Sequence, residues 1–111
     1  MREILAAIIP PAGPLQVRPI THDDGDTLRA LVGGWLEAVM LGPVVGWINE
    51  EGRLTGLAPN PRATAILASL GWAGDGAGPV AGTVVLTGRA GPETTNLPES
   101  ALHTLHRIAA L

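Results

Sequence analysis

The chain contains no cysteine, no phenylalanine, no tyrosine and no lysine. Without cysteine there can be no disulfide, no thiolate zinc site and no cysteine nucleophile. Without Phe and Tyr, the aromatic surface comes from Trp35, Trp47 and Trp72 alone, and the core has to be aliphatic. Leu, Ile and Val supply it, numbering 30 of 111 residues. Without lysine, all seven basic residues are Arg, and they are scattered along the sequence. No basic stripe able to neutralise phosphates results, so nucleic-acid binding is not expected. Ten dispersed acidic residues and a net charge of −3 are equally too little for a nucleic-acid mimic.

Long apolar runs are missing too. Arg2 precedes the run Ile4 to Ile9, but that run is shorter than a signal-peptide core, and Glu3 sits beside it. Nothing approaches the roughly 18 apolar residues of a membrane span. A cytoplasmic protein without membrane contact is expected.

What remains is a globular composition: only 15% of residues are charged, and 15 Gly with 10 Pro supply many turns. At this length the expectation is one domain over residues 1–111, able to bury roughly two-thirds of its unfolded surface.

Residues 3–9 read as a buried strand ended by Pro10-Pro11-Ala12-Gly13. Leu15-Gln16-Val17-Arg18 alternates as a second strand of a hairpin. Thr21 to Asp26 reads as a polar connection whose acids suit a helix start. Leu28, Leu31 and Val32 have helical spacing, stopped by Gly33-Gly34. Strands are predicted over 35–40 and 44–48, turned by Leu41-Gly42-Pro43.

Next comes the densest turn and cap chemistry in the chain. Asn49-Glu50-Glu51-Gly52 predicts a turn with glycine at positive φ, followed by a brief pairing of Arg53-Leu54. Asn60 is a strong N-cap, Pro61 a favoured first helical residue, and Gly71 a natural stop. Ala63, Ile66, Leu67 and Leu70 share one face of that helix. A flexible loop is expected from Gly71 to Pro79, a core strand from Val80 to Thr87, and a loop over 88–96. A final helix begins near Pro98 and Glu99, with Leu97, Ala101, Leu105 and Ile108 as its stripe and Leu102 and Ala109 beside it. The order is about β-β-α-β-β-(β)-α-β-α. It predicts an α+β fold: a mixed, largely antiparallel sheet with two or three helices on one face.

Several of these segments together resemble a known family. They are Ile8-Ile9-Pro10-Pro11-Ala12-Gly13, Leu31-Val32-Gly33-Gly34-Trp35-Leu36-Glu37, Asn49-Glu50-Glu51-Gly52, Leu57 through Thr64, and Val80-Ala81-Gly82-Thr83-Val84-Val85. In combination, over residues 3–87, they resemble a domain of unknown function found in small proteins of actinobacteria and their phages. The resemblance implies no catalytic residue. It implies an accessory, host-facing setting, such as countering defence or modulating a host protein.

Candidate sites each have a plainer reading beside the functional one. Glu37, Asn49, Glu50 and Glu51 can gather into a polar cluster beside Trp35 and Trp47, suited to acid–base work or a hard cation, or be solvated turn and strand residues. Asn60 and Arg62 at a helix N-terminus can hold an anion, with Arg62 as a planar fork, or simply cap. Arg62 is also within reach of pairing with Glu50 or Glu51. His103 and His106 stand three apart on the final helix without a third ligand at a recognisable spacing. His22-Asp23-Asp24 resembles a metal tripeptide but lies where a helix cap is needed. Gly74-Asp75-Gly76-Ala77-Gly78 mimics a phosphate loop, yet Pro79 and a strand follow it where a helix should. No Ser/His/Asp set is present.

The expectation is therefore a non-enzymatic binding module for a host protein or a small anionic ligand, with no cofactor. Glu37, Asn49, Glu50, Asn60 and Arg62 are its candidate ligand-binding residues. The alternative is a small enzyme or ligand-handling protein acting on phosphorylated or nucleotide-like molecules. A homodimer is also expected, because the chain is apolar for its size.

Overall fold

The computed structural model of the chain describes residues 2–109, with side chains through Ile108. Along the chain run β1 (Arg2–Ile9), β2 (Gln16–His22), α1 (Asp26–Val32), β3 (Leu36–Leu41), β4 (Val44–Asn49), α2 (Pro61–Ser69), β5 (Val84–Ala90), β6 (Glu93–Thr95) and α3 (Glu99–Ala109). The sheet order is β2-β1-β5-β4-β3, and every pairing of these strands is antiparallel. β1 pairs with the first half of β5, through Ala7 to Ile9, and β6 pairs with the second half. The end of β6 is tied back to β1, since Leu5 N–H donates to Asn96 Oδ1 at 2.7 Å and Leu97 N–H to the Leu5 carbonyl at 2.9 Å.

The fold is α+β, and both faces of its sheet are covered. Ala7 and Ile9 of β1, Val44 and Ile48 of β4, and Val84 and Leu86 of β5 face α2 and α3, meeting Ala63, Ile66, Leu67, Ala101 and Leu105. The alternate residues Ile4, Ala6, Ile8 and Val85 face α1, meeting Leu28 and Val32. Two helices thus share one face, and the third packs on the other. This explains why β1 and β5 read as continuous apolar runs: a strand buried on both sides has no polar phase.

Several element boundaries differ from expectation. β2 runs on through Pro19 to His22, which a strand at the sheet edge tolerates because its outer side needs no N–H. β5 begins at Val84, not Val80, because Gly82 sits at φ +83 and breaks the extended backbone. It then continues to Ala90, and a Gly91-Pro92 turn returns it as β6, within the expected loop. Arg53-Leu54 forms no strand; residues 50–56 are turns, with Thr55 N–H donating to the Glu51 carbonyl at 2.9 Å. Gly52 lacks a positive φ. It is needed instead for close approach, as a Cβ there would lie 2.8 Å from the Ala81 carbonyl oxygen.

Helix α2 follows expectation, with Asn60 as N-cap, Pro61 first, and Gly71 at φ +111 after its end. Of the expected stripe, Leu97, just before α3, and Ala101 and Leu105 on it are buried, but Ile108 is 40% exposed and Thr104 is buried instead. Ala109, expected beside the stripe, lies outside the described side chains. Among the described residues no helix is long and apolar enough to cross a membrane.

Candidate functional site

A cleft of about 320 Å³ lies beside α1. Its lining is apolar at Ile4, Ile20, Leu28, Leu36 and Trp47, and polar at the end of β2, the turn into α1 and the β5–β6 hairpin. Trp47 donates its indole N–H to Thr87 Oγ1 at 2.9 Å, so its one polar atom is satisfied within the chain. The polar part carries His22, Asp23, Asp24 and Glu93 against one guanidinium, that of Arg29.

Asp23 shapes this rim. Its Oδ1 accepts from Gly25 N–H at 3.1 Å and Thr27 N–H at 3.3 Å, and its Oδ2 from the Thr27 hydroxyl at 2.6 Å. The Thr27 hydroxyl and these N–H groups hold the Asp23 carboxyl below the usual aspartate range. Gly25, at φ +96, turns the chain into α1, and a Cβ there would press on Arg29. Arg29 is ion-paired to Asp26 one turn back, and Glu93 lies 3.6 Å from Arg2. Asp24 has no ion pair among the described residues. His22-Asp23-Asp24, singled out in the sequence, thus contributes a cap and an acidic rim; no group of three metal-ligating side chains exists among the described residues.

A second, smaller cleft of about 220 Å³ brings together Glu37, Asn49 and Glu50 with Arg53, Leu54 and Asp75. Asn49 is a lock at its border: Oδ1 accepts from Glu51 N–H at 2.9 Å, and Nδ2 donates to the Val32 carbonyl at 3.2 Å, tying the turn to the end of α1. Arg53 clamps the glycine loop, donating to Asp75 Oδ2 at 2.7 Å, the Gly78 carbonyl at 2.7 Å and the Pro79 carbonyl at 3.0 Å. That loop, expected to be flexible, is held at three points. Hydrogen bonding from Arg53, then from Ala77 N–H, lowers the Asp75 carboxyl.

Asn60 and Arg62 lie outside both clefts. Asn60 is fully buried: Nδ2 donates to the carbonyls of Ile9 and Gly82, each at 2.9 Å, and Oδ1 accepts from Ala63 N–H at 3.0 Å. It faces the protein interior. Arg62 reaches the turn after β1 and not Glu50 or Glu51, donating through Nη2 to the carbonyls of Pro10 at 2.7 Å and Gly13 at 2.8 Å. Of the five candidate residues, the fold converges Glu37, Asn49 and Glu50 and separates Asn60 and Arg62 from them. His103 and His106 lie on the exposed side of α3.

The main cleft was not legible in the sequence because five separated stretches build it, on β1, the β2–α1 segment, β3, β4 and the β5–β6 hairpin. The signals present were the Asp23–Thr27 spacing of a local cap and Gly91-Pro92, a hairpin turn of the same kind as Gly42-Pro43, with glycine at φ +58 and +64.

A family model described as Domain of unknown function (DUF3846) matches residues 1–109. No curated protein and no solved structure shows a significant match to the chain.

Proposed function

The chain belongs to the DUF3846 family, whose function is unknown, and from the larger cleft we propose a non-enzymatic binding module for a protonated amine or guanidinium carried on an apolar stem. The observation that carries this reading is the cleft's make-up. An apolar floor closes on Trp47, and the rim has Asp23, Asp24 and Glu93, with Arg29 paired to Asp26 and Arg2 to Glu93, so that Asp24 is left without an ion pair among the described residues. A cavity of about 320 Å³ fits a ligand of a few heavy atoms or one long side chain. Two acidic clefts speak for a cation over the anion expected from sequence. An arginine or lysine side chain of a host protein has this chemistry, as does a free small amine. The resemblance to actinobacterial and phage proteins supports a cytoplasmic, host-facing accessory role.

Titration of the nitrogen-15-labelled protein with n-butylamine, agmatine and a Leu-Arg-Leu peptide tests the reading. Shifts are expected at Gly25, Thr94 and the Trp47 indole, and should be lost in the double variant Asp24→Asn, Glu93→Gln. A response to the peptide alone assigns the cleft to a polypeptide partner; a response to the free amines as well assigns it to small ligands. Binding of phosphate or a nucleotide there, with no response to the cations, would overturn the proposal.

A further inference from the structure

We propose that the free edge of β3 joins two copies of this chain, antiparallel about a two-fold axis at Ala38, into one continuous sheet. The inference stands on the free strand edge and does not depend on the cleft reading.

The sheet ends in β2 on one side and β3 on the other. The β2 edge carries the features that block strand addition: Pro19, which has no N–H, sits within it, and Arg18 adds a charge. The β3 edge carries neither proline nor a basic residue. Its sequence is Leu-Glu-Ala-Val-Met-Leu, with Glu37 its one charge. Among the described residues, the strand paired with β3 is β4 alone.

The backbone groups facing outward follow from the register. Glu50 N–H donates to the Trp35 carbonyl at 2.9 Å, so position 35 bonds inward, and alternation makes 37, 39 and 41 do the same. The N–H and C=O groups of Leu36, Ala38 and Met40 then point away from the sheet. Such a row is complementary to itself when reversed. Ala38 meets Ala38 of the second copy, Leu36 meets Met40, and Trp35 meets Leu41.

Side chains and charges agree with this register. Trp35 is 68% exposed and Met40 53%, and both gain apolar neighbours. Glu37 faces Val39, so no like charges are opposed. The acidic turn at Glu50 and Glu51 adjoins the Trp35 end, and the two-fold axis places the two acidic turns at opposite ends of the paired strands. Leu36 lines the main cleft. Met40 of the second copy, set against Leu36, extends that lining across the interface.

Light scattering over a concentration series is expected to give twice the 11.4 kDa chain mass at high micromolar concentration. Met40→Lys puts a charge on the edge, and Ala38→Pro removes an outward donor; both should give monomers with unchanged circular dichroism. Because the chain has no cysteine, Ala38→Cys supplies a single thiol, expected to cross-link two copies under mild oxidation, while Arg18→Cys on the opposite edge should not. A monomer at every concentration, a dimer that survives both edge variants, or cross-linking at Arg18→Cys in place of Ala38→Cys would each overturn the proposal.

Discussion

Asn60 Nδ2 donates to the carbonyl of Gly82 at 2.9 Å, joining the start of α2 to the bend that delays β5. The same amide holds the Ile9 carbonyl at the end of β1. One side chain thereby satisfies buried groups from three segments. Asn60→Ala leaves those carbonyls and Ala63 N–H without their partner. The expected destabilisation is about 3 kcal/mol, combining a lost cap with unsatisfied buried groups. Asn60→Ser keeps the cap and should recover about 1 kcal/mol of it. Urea denaturation of the three proteins measures both.

Gly88 tolerates no side chain. A Cβ there would fall well inside van der Waals contact with the backbone oxygen of Asn96, which cannot swing aside as a flexible side chain can. Gly88→Ala is expected to destabilise by about 2–3 kcal/mol or to unpair β6. Gly46→Ala crowds the far end of Leu67, at 2.7 Å, with Leu86 and Val39 at ordinary contact distance, and should cost less. Thermal melting ranks the two.

Acid stability follows from Asp23 and Asp75, whose carboxyls are lowered in the folded protein from an ordinary value of 3.8. A depressed folded value means the stabilisation is fully present above the unfolded value. It is lost as pH falls through the folded one. These two groups should leave stability flat above about pH 5 and erode it below about pH 4. Thr27→Val removes the main cause at Asp23, so the acid slope of the urea midpoint should become shallower. An unchanged slope would show that the Thr27 hydroxyl does not set this titration.

Arg53→Ala should free the glycine loop while leaving the fold intact. The Arg53–Asp75 pair is partly exposed, so its loss should cost little stability. The change should show instead as faster protease cleavage between Gly74 and Pro79, with melting nearly as before.

Legibility followed the range of the interactions. The start of α2 could be read because Asn60, Pro61 and Ala63 act on one another within one turn. The α+β class could be read from the spacing of apolar residues. What hid was non-local. Gly82 reads as a strand residue until its left-handed backbone is seen, and Arg62 finds its acceptors at Pro10 and Gly13, about fifty positions earlier. The helix cap role of Asn60 was visible, but its two carbonyl partners at Ile9 and Gly82 were not. The cleft on the α1 face shares that fate: Trp47, Asp24 and Glu93 meet only after β5 has brought both halves of the sheet together.

The place of β5 in the sheet also governs how the chain folds. It pairs Leu86 with Ala7 on one side and with Gly46 on the other, so the strand that joins the two hairpins leaves the ribosome only after both of them. Until then the β1–β2 and β3–β4 hairpins can form, but each keeps open the inner edge that β5 will fill. Two-stranded hairpins are marginal in water, and pairings this distant in sequence close slowly. Synthesis therefore passes through a stage rich in unpaired apolar strands, in which premature release or truncation before Val84 leaves a sticky fragment. Chaperone demand and inclusion-body formation should track that stage more closely than the stability of the finished fold.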